Sequence, residues 1–144
     1  QKFARRTFDK VLYVGEIELP QKKGSAQLRG RWGEAAAAAY LRQKGYAIDA
    51  ANYRTRFGEI DLIASKDDLI VFVEVKLRAS AEFARPMEFV TPAKQQKIVL
   101  TAGQWLVEHD EGKQPRFDVI EIIAPERLNE PPKELRHIEN AFHA

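Results

Sequence analysis

Apolar and polar positions follow two different periods along the chain, and the change of period predicts the order of its elements. Residues 31–44 contain five consecutive alanines and stop at Gly45, which predicts a helix that ends at a residue tolerant of left-handed backbone. The three segments that follow are short, rich in Ile, Val, Phe or Tyr, and separated by turn-like residues, as is typical of strands. They span about 47–54, 58–65 and 69–78.

The second half of the chain adds another helix and further strands. Thr91-Pro92 supplies an N-cap followed by a proline at the first helical position, so we expect a helix that runs to about Glu108. Its apolar residues recur at helical spacing: Ile98, Ala102, Trp105 and Leu106. A strand is predicted at 116–123, where Asp118 is expected to be a buried hydrogen-bond acceptor or the partner of an arginine. Residues 135–142 form a last edge strand or cap, which completes an α/β fold with a central sheet.

Two of these strands, 58–65 and 69–78, are joined by a short polar turn and should pair as an antiparallel hairpin. If Asp67-Asp68 form the turn, Asp61 lies directly opposite Glu74, and a four-residue loop gives the same pairing. A loop with an odd number of residues would place the two carboxylates on opposite faces, because side chains alternate along a strand.

Opposed carboxylates on this hairpin require compensation. Like charges directly across a strand pair are destabilising, and the second strand is apolar on both faces except at Glu74 and Lys76, which is typical of a buried strand. A divalent cation such as Mg²⁺ would compensate both Asp61 and Glu74. Lys76 projects from the same face, where it could activate water or stabilise charge on a phosphoryl oxygen. The alternative interpretation is a salt-bridged polar stripe in which Glu59 pairs with Lys76.

A third acidic residue, Glu34, lies on the first predicted helix. At 100° per residue it falls within about 20° of Leu41, on the side of the helix that carries the apolar stripe. We therefore expect Glu34 to face the sheet and to bind the metal directly or through water. The alternative is a first-turn acid that interacts only with the helix dipole.

The composition excludes some classes of function but does not identify a single one. The 144 residues, 44% hydrophobic and 31% charged, fit one soluble domain. The net charge of +2 favours nucleic-acid binding only where basic residues cluster. The absence of Cys excludes disulfides, thiolate metal sites and Cys nucleophiles. No apolar run approaches the roughly 20 residues of a membrane span, and no signal-peptide core is seen, so we expect a soluble, cytoplasmic protein.

Five short segments, in a fixed order, carry a family resemblance. They are Gly33-Glu34, Asn52-Tyr53-Arg54, the GEIDLI run 58–63, the FVEVK run 72–76 and the RFDV run 116–119. Together they resemble the YraN-like family of small bacterial proteins over about residues 30–142. That family in turn resembles the PD-(D/E)XK nuclease superfamily, and within it the archaeal Holliday junction resolvases. The resemblance implies a central mixed β-sheet flanked by helices, the restriction-endonuclease-like fold.

The resemblance also implies roles for particular residues. Asp61 and Glu74 would bind Mg²⁺ or Mn²⁺, Lys76 would be the catalytic lysine, and Glu34 would be the helix glutamate that resolvase-like members add. The superfamily's Pro-Asp dipeptide appears here as Ile60-Asp61. The implied activity is a metal-dependent endonuclease on DNA, including branched DNA, acting by analogy as a homodimer. Two alternatives stay open: a catalytically silent nucleic-acid-binding or adaptor domain, and an interaction module whose carboxylates are only structural.

Basic residues around the hairpin are candidates for phosphate contacts. These nucleic-acid-binding candidates are Arg54, Arg56, Arg78, Lys94 and Lys97. Lys94 and Lys97 share one face of the second helix, and the alternative for the whole set is a solvated surface. We expect residues 1–29 to be a basic N-terminal arm, either a flexible leader or a phosphate-contacting extension, ahead of an α/β domain at 30–144.

Overall fold

The computed structural model describes residues 26–78, 90–109, 111–125, 127 and 129–144. In chain order its elements are α1 (Ala26–Gln43), β1 (Ala47–Thr55), β2 (Gly58–Lys66), β3 (Leu69–Arg78), α2 (Pro92–Glu108), β4 (Gln114–Ile123) and β5 (Glu134–Phe142). The strands form one mixed sheet in the order β1-β2-β3-β4-β5, in which β3 and β4 are parallel and the other neighbours antiparallel. The predicted α/β class, with a central mixed sheet and flanking helices, is confirmed and is consistent with a restriction-endonuclease-like architecture.

The predicted element boundaries hold to within about two residues except at the first helix. Helix α1 begins at Ala26 rather than at residue 31, because residues 26–29 are good helix formers and Gly30 is tolerated within the helix. Residues 1–25, which make up most of the predicted basic arm, lie outside the described residues. Among the helices that the structure describes, none is long and apolar enough to cross a membrane.

The two helices pack on opposite faces of the sheet. Helix α1 buries Trp32 and its run of alanines against one set of strand residues, which includes Val73 of β3. Helix α2 buries Ile98 against the other set, which includes Phe72, the neighbour of Val73. Because successive side chains of a strand point to opposite faces, residues of β3 with even numbers lie on the α2 face.

The N-terminus of α2 is formed as the sequence predicts. The Thr91 hydroxyl accepts a 3.2 Å hydrogen bond from the Lys94 backbone N–H, and Pro92 occupies the first turn, where no N–H is needed. This cap fixes the point at which α2 begins over the sheet, and it places Lys94 one turn into the helix.

Candidate functional site

The β2–β3 hairpin has the even register that the sequence predicts. Lys66 pairs with Leu69 across a two-residue turn of Asp67 and Asp68, and the register continues to Leu62 opposite Val73. Asp67 has a φ of 55°, a left-handed conformation that Asp adopts more readily than most residues. The turn therefore fixes which side chains of the two strands share a face.

The regular ladder stops one position before the two carboxylates. Its last pair is Leu62 opposite Val73. Beyond it, the Val75 backbone N–H donates a 2.8 Å hydrogen bond to Asp61 Oδ2. The prediction that Asp61 pairs directly with Glu74 in the ladder is therefore wrong. The Asp61 side chain accepts the Val75 N–H bond that a backbone carbonyl of β2 would accept in a regular ladder.

On its other side, Asp61 lies next to a second irregularity. The β1–β2 pairs pass from Ala51 opposite Leu62 to Tyr53 opposite Ile60, and Asn52 between them has a φ of 55°. Asn is one of the few residues that tolerate this left-handed conformation. Asp61 thus has no regular partner on either neighbouring strand, and its carboxyl lies close to side chains from α1 and β1.

Glu34 of α1 completes this side of the site. The side chains of Asn52 and Asp61 lie close to its carboxyl group, and both act to lower its pKa. Burial raises the pKa of Glu34, and the charges of Glu59 and Glu74 add to that effect. Glu34 therefore lies at the sheet next to Asp61, as its place on the helix predicts. The alternative, an acid in the first turn of the helix, is wrong, because α1 begins at Ala26 and has no acidic residue in its first turn.

Glu74 lies between two lysines. Its side chain is buried, and its Oε2 is 2.8 Å from Lys94 Nζ and 3.6 Å from Lys76 Nζ. Burial lowers the pKa of Lys94, but the hydrogen bond and charge of Glu74 outweigh it, so the pKa is raised overall. The alternative pairing of Glu59 with Lys76 is wrong for this structure, since Lys76 contacts Glu74 and Glu59 pairs with Arg54 at 3.2 Å.

The surroundings of Asp61 disfavour the charged form of its carboxyl group. Burial first, and then the negative charge of Glu74, raises the pKa of Asp61 to about 7, although the Val75 N–H acts in the opposite direction. A carboxylate in this position is stabilised by protonation or by a nearby cation. The raised pKa of Asp61 agrees with the sequence pattern, which indicated that these carboxylates need a compensating positive charge or a proton.

Two clefts meet at Asp61, one on each side of the sheet. The first, of about 430 Å³, lies beside α2 and is lined by Asp61, Glu74, Lys94 and Lys97 among others. The second, of about 520 Å³, lies beside α1 and is lined by Arg31, Glu34, Asn52, Arg54, Glu59 and Asp61. Asp61 and Glu59 line both clefts, so a molecule can reach the central carboxylate from either face of the sheet.

The donor set at this position suits a hard divalent cation. Glu34, Asp61 and Glu74 offer carboxylate oxygens, the ligands that Mg²⁺ and Mn²⁺ prefer. The Lys94 ammonium already acts as the cation beside Glu74. In the described part of the chain, no three acidic or histidine side chains are preassembled as a metal cage. The residue types fit the ion chemically, although the structure does not hold them in a ready-made arrangement around one point.

Of the five basic residues predicted to contact phosphate, three line the two clefts and two do not. Lys94 and Lys97 line the cleft beside α2, and Arg54 lines the cleft beside α1. Arg56 lies over the ring of Phe57, with 4.9 Å from its guanidinium carbon to the ring centroid. Arg78 lies further along β3 and bonds to a buried glutamate of β4.

Sequence reasoning missed one buried network, although it assigned its central residue correctly. Asp118 is fully buried and accepts two hydrogen bonds from Arg116, at 2.8 and 2.7 Å, which confirms the predicted arginine partner. It also contacts His137 Nε2 at 2.8 Å, and His137 Nδ1 contacts Tyr40 Oη at 3.0 Å. The pairing of β5 beside β4 creates these contacts, and neither strand's own pattern indicates them.

Comparisons with known proteins identify the family to which the chain belongs. The model of the family described as "Uncharacterised protein family UPF0102" matches residues 33–122. A UPF0102 protein of Alkaliphilus oremlandii is 47% identical over 116 residues, covering 78% of this chain and 96% of the relative. A UPF0102 protein of Prosthecochloris aestuarii is 48% identical over 120 residues, covering 80% and 93%. The chain belongs to the UPF0102 family, and the resemblance to YraN-like proteins is confirmed.

Proposed function

We propose that this member of the UPF0102 family is a metal-dependent endonuclease that hydrolyses phosphodiester bonds in DNA, including branched or flapped DNA. The observation that carries the proposal is the position of Asp61. Its carboxyl is buried between Glu34 and Glu74, with a pKa raised to about 7, at the point where two clefts meet. A site that concentrates carboxylates in this way favours a divalent cation and, with it, a phosphate.

Glu34, Asp61 and Glu74 would hold Mg²⁺ or Mn²⁺. When bound, such an ion lowers the pKa of water and stabilises negative charge on phosphoryl oxygens. The Val75 N–H holds Asp61 in place through its 2.8 Å hydrogen bond, and the Asn52 side chain lies beside the Glu34 carboxyl group. Such supporting contacts restrict how far the carboxylates must move to bind an ion together.

The lysines supply positive charge where a phosphodiester would enter. Lys76 is about a quarter exposed and lies 3.6 Å from Glu74, so its ammonium can orient an attacking water and stabilise charge developing on the phosphoryl group. Lys94 and Lys97 line the cleft beside α2, where they can contact the phosphate itself. The order of these residues also matches the PD-(D/E)XK resemblance, which supports the same reaction.

A second candidate is a nucleic-acid-binding or adaptor domain without turnover. One contact favours it: the Lys94 ammonium, 2.8 Å from Glu74, neutralises that carboxylate without any metal ion. In such a protein the carboxylates would be structural and the basic residues would bind phosphates. Isothermal titration with Mn²⁺ separates the two candidates, because the adaptor predicts no measurable affinity.

Cleavage of defined substrates tests the leading proposal. The purified chain is incubated with single-stranded, duplex, flapped and four-way DNA, and with matched RNA, in Mg²⁺ or Mn²⁺. We expect metal-dependent nicking of at least one DNA, and loss of more than about a hundredfold in Glu74→Ala. Glu130→Ala, an exposed acid elsewhere, is the matched control. If the wild type resembles Glu74→Ala on every substrate, the proposed catalysis is wrong.

A further inference from the structure

The ion pair between Lys94 and Glu74 joins a movable group to a buried one. Glu74 is buried in β3 with its Oε2 2.8 Å from Lys94 Nζ, whereas the Lys94 side chain is 47% exposed. The Thr91 cap holds the backbone N–H of Lys94, so only its flexible four-carbon stem has to rotate for the ammonium to leave Glu74. Lys76 Nζ, 3.6 Å from the same oxygen, remains beside Glu74 when Lys94 turns away.

Lys94 lies on the side of Glu74 where the proposed metal ion would bind. Asp61, Glu74 and Lys94 line one cleft, and the negative charges of Asp61 and Glu74 both act on the Lys94 ammonium. Two cations close to one carboxylate repel each other. The ammonium and a divalent ion therefore compete for Glu74, and binding of the ion requires Lys94 to move.

A phosphate in this cleft offers Lys94 another partner. An ammonium carries three donors, and it forms charge-assisted hydrogen bonds with phosphate oxygens as well as with carboxylates. Lys97 lies one turn further along α2 and lines the same cleft, so an entering phosphate meets two ammonium groups. The cleft volume of about 430 Å³ is in the range of sites that hold small molecules. A phosphate that draws Lys94 away leaves Glu74 open to a divalent cation.

We propose that Lys94 couples the binding of nucleic acid to the binding of the metal ion. Lys94 neutralises Glu74 in the free protein and moves to a phosphate when a strand enters the cleft. The proposal rests on the proposed function for the identity of both ligands. Because linkage is reciprocal, the metal ion raises the affinity for the nucleic acid by the same factor by which the nucleic acid raises the affinity for the metal ion. The free protein therefore disfavours the ion, and the site is completed on its substrate.

Isothermal titration with Mn²⁺ measures this coupling without cleavage. Each protein is titrated alone and with saturating single-stranded phosphorothioate DNA, whose linkages keep their negative charge and resist hydrolysis. Mn²⁺ bound by the DNA alone is subtracted. The coupling factor is the ratio of the two Mn²⁺ affinities.

Direct attraction between a metal ion and a phosphate also couples the two ligands, so the test compares variants. In Lys94→Gln the coupling factor should be about threefold to tenfold smaller than in the wild type, because Glu74 is already open without DNA. Lys94→Arg keeps the charge and should retain most of the factor. Lys97→Gln, the matched control from the same cleft, should weaken DNA binding but keep the wild-type factor.

A measurement on the wild-type protein covers the case in which the Lys94 variants fold poorly. Acetic anhydride modifies accessible amines, and mass spectrometry of the digest reports each lysine separately. Saturating Mn²⁺ without DNA should raise the acetylation rate of Lys94 by much more than that of Lys97, because the ion displaces the Lys94 ammonium from Glu74. Equal changes at both lysines, or a wild-type coupling factor in folded Lys94→Gln, overturn the proposal.

The coupling and the nuclease proposal fail in different ways. If DNA is cut in a Glu74-dependent manner while the coupling factor is the same with and without Lys94, the role of Lys94 is wrong and the nuclease stands. If the factor depends on Lys94 but no substrate is cut, the coupling stands and the protein is a metal-dependent nucleic-acid-binding domain. If no variant binds Mn²⁺ in either condition, the coupling is wrong, and the cleavage assay decides the nuclease independently.

Discussion

The backbone N–H of Val75 donates a 2.8 Å hydrogen bond to the carboxylate of Asp61. This bond holds the side chain of one strand to the backbone of the next, just beyond the last regular pair of the hairpin. The bond acts to lower the pKa of Asp61, but burial and the charge of Glu74 have the larger, opposite effect, and together they raise the pKa to about 7. Asp61 is therefore fixed in position by the sheet while its charge state depends on what surrounds it.

Asp61→Asn should stabilise the metal-free protein at pH 8. The pKa of Asp61 in the folded protein is raised above its ordinary value of 3.8, so its contribution to stability is full below about pH 4 and is lost as pH rises through about 7. The asparagine Oδ1 can still accept the bond from Val75. We expect a gain on the order of 1–3 kcal/mol in the free energy of unfolding at pH 8, and little difference at pH 4.

Urea denaturation in EDTA at several pH values measures this effect. Asp49→Asn, an exposed acid on β1, is the matched control and should change little at any pH. A stability difference between Asp61→Asn and the wild type that is constant from pH 4 to pH 8 would show that Asp61 keeps an ordinary pKa.

The hairpin register could be predicted from sequence because it follows from few constraints. A two-residue turn at Asp67-Asp68 and strict alternation of side chains predict Asp61 and Glu74 on one face. The structure has that register as far as Leu62 opposite Val73. The interruption at Asp61 could not be predicted in the same way. It depends on Asn52 adopting a left-handed conformation and on Glu34 arriving from α1, and both are tertiary events.

One of the two contacts of Glu74 could also be predicted from sequence, and the other could not. Alternation along β3 predicts that Lys76 is its neighbour, and the 3.6 Å distance agrees. The sequence indicates Lys94 only as an auxiliary residue of the site or a phosphate contact, because a helix pattern gives no indication of where its N-terminus meets the sheet. The cap at Thr91 sets that position and brings Lys94 to 2.8 Å from Glu74.

Lys94→Gln should raise the affinity for Mn²⁺. The Lys94 ammonium neutralises Glu74, so an incoming divalent cation must compete with it. Removing that charge should strengthen Mn²⁺ binding by about threefold to tenfold, which corresponds to roughly 1 kcal/mol. Lys97→Gln, one turn further along α2, lines the same cleft without an ion pair to Glu74 and should have a smaller effect.

Isothermal titration of the wild type and both variants with Mn²⁺ gives these affinities directly. Weaker Mn²⁺ binding by Lys94→Gln would mean that Lys94 supports the metal site rather than competing with it. Equal affinities for all three proteins would place Mn²⁺ away from Glu74.

Asp118→Asn should destabilise the protein strongly. Burial acts to raise the pKa of Asp118, but hydrogen bonds from His137 and Arg116 outweigh it and lower the pKa overall. Loss of the charge leaves Arg116 and His137 without their anion, a change that costs about 3–5 kcal/mol for a buried pair. In the wild type, the stabilisation by Asp118 is present above the ordinary pKa of a carboxyl and is lost as pH falls below it.

Urea denaturation at pH 7 measures the loss for Asp118→Asn, again with Asp49→Asn as the exposed control. The difference between Asp118→Asn and the wild type should shrink as the pH is lowered toward 3. A loss below about 0.5 kcal/mol at pH 7 would be typical of a surface substitution and would contradict the buried network.

Lys76→Met should separate catalysis from metal binding. Lys76 lies on the face of β3 that carries Glu74, but its 3.6 Å contact is longer than that of Lys94, so Glu74 keeps a close cation when Lys76 is replaced. The methionine preserves the apolar stem and removes the ammonium that would stabilise charge on the phosphoryl group. We expect kcat for DNA cleavage to fall by about a hundredfold or more, while Mn²⁺ affinity stays within about threefold.

Single-turnover cleavage and isothermal titration measure the two quantities. Parallel loss of both would assign Lys76 to the support of the carboxylates instead of the reaction.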